Sequence, residues 1–262
     1  MNNRGPTNRG YQAFFFTLLT IVLASGCTSS RKGEAIAPSP AKARSILSAA
    51  YEPLQRIEGS YTLTLNSPDY RATIFGILRL QHPGRLYSKL MGPFGIKLGE
   101  LTIRDDNFLL KMANGRVEEG MISEMEIEES TGLPLPGEYV MYLFDPSPRP
   151  PAREARTVQF EELTESGEWL WRVDEDGIVR EILLDPELGI ALSESWVDSD
   201  GHLLLTKEYQ RHELVDGNLV AKRIIIDTAG RRVMNAVIEY EALKLDPEWD
   251  EDPFTLLESS QR

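Results

Sequence analysis

Apolar and polar side chains alternate along most of this chain. In "EGSYTLTLNS" (58–67), Tyr61, Leu63 and Leu65 share a face opposite Ser60, Thr62 and Thr64, the period of a strand buried on one side. "SPD" (67–69) is a turn by composition, and "YRATIFGILRLQ" (70–81) is the returning strand. "HPG" (82–84) turns again into "RLYSKLM", which sets Leu86 and Leu90 against Arg85 and Lys89. In "IKLGELTIRD" the parity changes: Ile96 and Leu98 fall on one face, Leu101 and Ile103 on the other. A bulge near Gly99 is therefore expected, restoring a single apolar face. With "NFLLKMANG" as a further strand, short strands and tight turns predict an antiparallel meander.

Helical spacing appears twice. Ile46, Leu47, Ala50, Tyr51 and Leu54 predict a helix over residues 40–55, with Pro53 weakening its last turn. Between "MISEMEIEESTG" and "EYVMYLF", Ile122, Met125 and Glu129 lie along one line, and Tyr139, Val140, Leu143 and Phe144 form a stripe. Two short helices are expected there, covering one face of the sheet. After Pro151 strand patterns resume, from "TVQFEEL" and "WLWRVD" to "VAKRIIID" and "VMNAVIEYEAL", separated by "EDG" (175–177), "SDG" (199–201), "VDGN" (215–218) and "TAG" (228–230). The acidic tail "LDPEWDEDPFTLL" is expected to run along the sheet edge. So many strands need curvature or closure to avoid exposed edges. The order strand, helix, strand predicts a mainly β (α+β) fold, a broad curved antiparallel sheet with helices on its concave side. Such a shape can enclose an apolar cavity.

One turn breaks the pattern. In "LMGPFGIKLG" (90–99), Gly92, Pro93 and Gly95 interrupt two strands and place Phe94 at the tip. A turn tip faces water, so a phenylalanine there either packs back, here onto the helix 40–55, or meets something apolar outside.

Residues 1–26 read as an export signal rather than as part of the fold. Arg4 and Arg9 form a basic start, "AFFFTLLTIVL" (13–23) is an apolar run, and "ASGC" follows. The run is short for a bilayer span. Cys27 is the single cysteine, and "LASGC" resembles a bacterial lipobox, with Ala24 where leucine is usual and Leu23 one place earlier. An exported chain with one cysteine forms no internal disulfide; lipidation of Cys27 accounts for it, against the alternative of an ordinary secretory signal. At about 0.8 kcal/mol per buried methylene, several acyl chains such as palmitate make a permanent anchor. Thr28 and Ser29 follow, with no Asp beside the cysteine, and the resemblance to Gram-negative lipoproteins then implies the periplasmic face of the outer membrane. Residues 27–40 become a flexible tether, and 41–262 a single domain.

The chain has 28 basic and 41 acidic residues, a net charge of −13. Loss of residues 1–26 removes two arginines and no acid, leaving −15. No nucleic acid is expected as partner, since binding one needs a basic face to replace counterions. The exception is local: around the tether, Arg31, Lys32, Lys42 and Arg44 face one acid, Glu34, a composition suited to anionic head groups.

No catalytic constellation appears. His82, His202 and His212 lack paired metal-ligand spacing, and no GxSxG or phosphate loop occurs. "DPEWDEDP" (246–253) lacks the alternating calcium-loop pattern. No cofactor, metal or enzymatic activity is expected. Trp169 and Trp171, two apart on one strand, and Trp196 on another either line a cavity with Tyr61, Leu63 and Leu65 or fill the core.

In order and spacing, "IEGSYTLTL", "RATIFGILRL", "GRLYSKLMGPFGIKLGELTI", "NGR", "STGLPLP" and "VMYLFDPSP", along residues 57–147, resemble LolB, the outer-membrane lipoprotein receptor, within the wider LolA/LolB group. Beyond Pro150 the match is in strand pattern only. The resemblance implies a curved, incomplete antiparallel β-barrel with a helical lid over an apolar cavity that binds lipoprotein acyl chains. It implies acylated lipoproteins, a periplasmic LolA-like carrier and outer membrane lipids as partners, with the protein a monomer. In LolB a protruding loop carries an exposed leucine that helps deliver lipoprotein into the membrane. Phe94 stands at the matching place, framed by Gly92, Pro93 and Gly95, and burying such a ring in lipid is worth about 1.5–3 kcal/mol. Tyr142 stands where that family tends to have tryptophan. The alternative is a non-catalytic lipid-binding or scaffold lipoprotein of the envelope, because fold does not fix function.

Overall fold

A computed structural model describes residues 37–67, 71–124, 140–163, 165–229 and 235–255. The strands are β1 (Arg56–Asn66), β2 (Arg71–Gln81), β3 (Arg85–Met91), β4 (Lys97–Arg104), β5 (Asn107–Met112), β6 (Val117–Met121), β7 (Arg156–Glu162), β8 (Trp169–Glu175), β9 (Ile178–Asp185), β10 (Ile190–Val197), β11 (Leu203–Val215), β12 (Asn218–Thr228) and β13 (Asn235–Leu245). They form one antiparallel sheet in the order β6-β5-β4-β3-β2-β1-β13-β12-β11-β10-β9-β8-β7. The last strand pairs with the first, Leu63 opposite Ile238, and the sheet stays open with β6 and β7 as its free edges. Alternation fixes the faces, as partners across a ladder share a side. Ile57, Tyr61, Leu78, Leu80, Leu86, Ile103, Trp171, Ile182, Leu205 and Ile224 all point inward and are buried. At two hairpins the turn chemistry is explicit: Asp176–Gly177 and Asp216–Gly217 both have positive φ, the geometry that two-residue hairpin loops need and that glycine adopts freely.

Helix α1 (Pro40–Tyr51) lies against the inner face, in contact with β8, β10 and β12. The Ser39 hydroxyl caps it by accepting from the Lys42 amide at 3.2 Å, and Pro40 takes the first-turn position where no N–H is needed. Ala43, Leu47 and Tyr51, four apart, form its buried stripe. Pro53 ends it in a 3₁₀ turn, Glu52–Leu54. The residues of the core cluster run from Ala43 to Leu245. Pro38–Arg262 is a compact unit that carries its own core.

The inner face is crossed by a second segment, residues 140–152, which opens with a single helical turn, Val140–Leu143. Its contacts show how strongly the sheet curls. The Arg149 guanidinium reaches His82, at the end of β2, at 2.9 Å, and the Arg149 carbonyl accepts from Arg180 on β9 at 2.6 Å. Six strand spacings separate β2 from β9 along a flat sheet, roughly 29 Å, yet one residue bridges them. The sheet is therefore an incomplete barrel wrapped around α1 and this segment.

Two expectations need correction, and a third is met only in the part the described residues cover. β6 was not foreseen, because "VEEGM" puts two acids between its only apolar residues. Of the two covering helices, the described residues show a 3₁₀ turn at Ile122–Glu124 and the single turn at Val140; residues 125–139, with "GLPLP", lie outside them. The acidic tail crosses the outer face over β1 instead of following an edge. Trp249 donates its indole N–H to Glu58 at 2.7 Å and meets the buried Phe254 ring edge-on at 5.3 Å.

Candidate functional site

The turn after β3 is where the chain departs most from ordinary packing. Gly92 N–H donates to the Ile96 carbonyl at 2.7 Å, and Gly95 N–H to the Gly92 carbonyl at 3.2 Å. Inside this loop Phe94 adopts φ 63°, ψ 20°, the left-handed region, which costs an L-residue about 1–2 kcal/mol. Its side chain gains no contact in return: Phe94 is 101% exposed, with Ile96 at 62% and Leu98 at 42% beside it. Phe94 does not pack back on α1. Pro93 and Gly95 are exposed as well, whereas Gly92 is buried, with Leu98 filling the space where a Cβ would lie (3.3 Å). The expected bulge is present, with Leu98 the extra residue between the Leu90–Gly99 and Met91–Lys97 pairs. It does not return Ile96 and Leu98 to the core, as expected; it leaves them outside. Gly99 is required there, since a Cβ would sit 2.9 Å from the Lys111 carbonyl.

The residues named as cavity walls divide into three sets. Tyr61, Trp169 and Trp171 belong to the packed core. The Tyr61 ring lies over Gly76, where a Cβ would meet it at 2.2 Å, shares a 2.7 Å hydrogen bond with Ser88 and tilts against Phe144 at 5.4 Å. Burial pushes its hydroxyl up to about 12. Trp171 donates to Thr157 at 3.2 Å, with the Arg44 guanidinium 5.4 Å from its ring centre. Leu63 and Leu65 are half-buried against the core. Trp196 is buried in the same core and also borders a cleft of about 500 Å³.

That cleft lies between residues 142–152 and strands β8 to β10, with Tyr142, Asp145, Arg149, Glu175, Ile178 and Trp196 among its walls. Beneath it is a network of buried charge. Arg180 donates to Glu194 at 2.9 Å, and Tyr209 gives its hydroxyl proton to the other oxygen of the same carboxylate. Burial alone would lower the Arg180 guanidinium; the Glu194 and Glu175 carboxylates more than offset this and hold it above its ordinary value. Lys207 donates to the carbonyls of Tyr142 and Asp145, the latter at 2.8 Å. Burial pulls its ammonium down to about 8, against the pull of Glu194 and Asp145. Arg149 can only donate, so the His82 Nδ1 facing it accepts, and Nε2 carries the proton given to Asp145 at 2.8 Å. The Arg149 guanidinium also stacks on the Tyr142 ring at 3.8 Å.

These charges hold the crossing segment onto the sheet. Each buried carboxylate faces a cation, and no nucleophile is paired with a base among them. Sequence reading missed this cluster, although parity carried the signal: Lys207 sits between Leu205 and Tyr209, Arg180 two before Ile182, and Glu194 two before Trp196, all at inward positions. Asp198, Asp200 and His202 also come together on an exposed turn, where Asp198 accepts from the Asp200 and His202 amides at 2.9 and 2.8 Å. These backbone bonds lower the Asp198 carboxyl.

No known family profile matches the sequence, and no curated protein matches it. Solved structures do match the fold. A DUF1329 family protein from Desulfovibrio piger superposes with a TM-score of 0.63 at 13% identity, over 82% of this chain and 96% of that one. A LolA superfamily protein from Nitrosomonas europaea gives 0.58 at 14% identity, over 79% and 95%. A domain from Vibrio parahaemolyticus described as an outer membrane lipoprotein-sorting protein gives 0.60 at 12% identity, over 82% and 97%. The chain thus has a LolA-type fold. At these identities the likeness is one of fold alone, and it does not single out LolB.

Proposed function

We propose that this protein is a lipid-anchored envelope protein that binds acyl chains of lipoproteins and assists their insertion into the outer membrane, without covalent chemistry. The observation that carries the reading is Phe94. A fully exposed phenylalanine, held in a strained backbone at the end of the β3–β4 hairpin and flanked by Ile96 and Leu98, has no folding role and suits a membrane contact. The LolA-type fold supports lipoprotein or lipid binding, and the resemblance over residues 57–147 supports the LolB-like role. Cys27 would carry the anchor at the periplasmic face of the outer membrane, and a LolA-like carrier would supply cargo. Transfer would follow relative apolar affinity alone.

The experiment is transfer of a radiolabelled acylated lipoprotein from its periplasmic carrier, through residues 38–262 of this chain, to outer-membrane vesicles. Acyl-dependent acceptance is expected; failure to accept acylated cargo would overturn the reading. A second reading has its own observation. Tyr61, Trp169 and Trp171 fill the inner face, and the nearby cleft is lined with charge, which favours a lipid-binding or scaffold lipoprotein that holds a polar-headed ligand and inserts nothing.

A further inference from the structure

The outer face of β2–β6 carries an arrangement that folding does not require. Arg85 on β3 lies directly opposite Arg104 on β4, a like-charge pair that costs stability in a sheet. Neither makes an ion pair with a described residue, and the same holds for Arg71, Lys89 and Lys111 on this face. Its two acids, Glu100 and Glu119, are too few to balance them, and Glu100 is already bonded to Lys97 at 3.0 Å. Between the cations stand exposed apolar side chains: Ile77 opposite Lys89, Phe75 opposite Met91, Val117 opposite Lys111. The face ends at the Phe94 turn. A basic surface thus stands on a chain whose net charge is −13.

We infer that the outer face of β2–β6 docks onto a bilayer bearing anionic phospholipid head groups. Cations whose aliphatic stems run beside apolar side chains match the boundary between head groups and acyl chains, where stems are buried and charges stay at the phosphates. An acidic protein would use the cations and leave Phe75, Ile77 and Val117 without a role. The inference does not depend on lipoprotein transfer. It sets the orientation: the sheet lies down on the lipid, and Phe94 enters at one end of a contact extending about 20 Å along β3.

The test uses residues 38–262 and vesicles of phosphatidylcholine, alone or with phosphatidylglycerol, with bound protein measured by flotation. Each cation near an anionic surface strengthens binding roughly fivefold, so Arg85→Glu with Arg104→Glu should weaken binding to the anionic vesicles at least about twentyfold. This pair keeps like charges opposed, so its unfolding temperature should stay close to that of the unsubstituted chain. Arg153→Glu with Arg156→Glu, an equal charge change elsewhere, should leave binding unaltered. Equal binding to both vesicle types, or an unaffected Arg85/Arg104 variant, overturns the inference. So does binding to polyglutamate without binding to anionic vesicles, which would assign the face to an acidic protein. Acyl-dependent uptake of lipoprotein in vesicle-free solution, measured on the same variant, should be unchanged, so loss of docking is distinguishable from loss of cargo binding.

Discussion

On the outer face of β2–β6 five cations, Arg71, Arg85, Lys89, Arg104 and Lys111, make no ion pair with a described residue and stand beside exposed Phe75, Ile77 and Val117, whereas on β7–β12 the same kinds of residue are neutralised. There Arg156 is bound to Asp174 at 2.9 Å and Arg172 to Glu181 at 2.6 Å, and Glu161, Glu208 and Asp227 add further negative charge. Phe75, Ile77, Phe94, Ile96, Leu98, Val117 and Met121 gather in the first region, while Val158, Leu188, Leu203 and Leu214 are scattered over the second. Single exposed apolar residues are ordinary; a cluster beside unpaired charge marks a contact surface. The inner faces of the two regions are alike in being buried and continuous. The difference therefore lies where folding leaves the sequence free, and it teaches that the first half faces a partner. Under the proposed function the acidic second half would be left to meet a basic carrier, since complementary charge speeds encounter.

Three substitutions sharpen that contrast between a shared interior and an asymmetric exterior. The largest effect belongs to the interior: Arg180→Met leaves the Glu194 carboxylate buried without its cation, and stability should fall by about 3–5 kcal/mol, read from the denaturant midpoint. The next is a pH dependence. Lys207 holds its proton less tightly when folded, down to about 8 against an ordinary 10.5, so above pH 8 the unfolded chain binds more protons and stability rises with pH. The gain by pH 10 is on the order of 3 kcal/mol, and Lys207→Met should abolish it. Above pH 10 the trend reverses, because burial raises the hydroxyls of Tyr51, Tyr209 and Tyr240. A flat profile in the unsubstituted chain would show that Lys207 is not sealed from water. The smallest effect lies on the exterior: Phe94→Gly relieves the left-handed backbone and should raise stability by about 1 kcal/mol. A loss of stability there would mean that Phe94 has a packing role after all.

Much of the fold was legible because alternation is dense. β3 and β9 lie where period two places them, and the helix end follows from Pro53. The failures have physical causes. "VEEGM" gives too few apolar positions to announce β6, which edge pairing with β5 nevertheless secures. The tail went astray because an indole N–H seeking an acceptor outweighs composition, and Glu58 on β1 supplies one. At the candidate site, the placing of Phe94 at a turn tip was readable from its glycines and proline, but its exposure was not, because the residues alone allow the ring to fold back on the helix. The buried charges were not, because Lys207, Arg180 and Glu194 look like solvated residues until strand parity is applied to them. Asp145, Arg149 and His82 lie outside any periodic element, and only the curl of the sheet brings them together.

The most direct test of the central claim is delivery of lipoprotein by the Phe94→Glu variant. Residues 38–262, unsubstituted and with Phe94→Glu, would be loaded with a radiolabelled acylated lipoprotein and mixed with outer-membrane vesicles. The account predicts that both forms accept cargo and unfold at the same temperature, and that only the unsubstituted form incorporates cargo into the membrane. Equal incorporation by the two forms would contradict it.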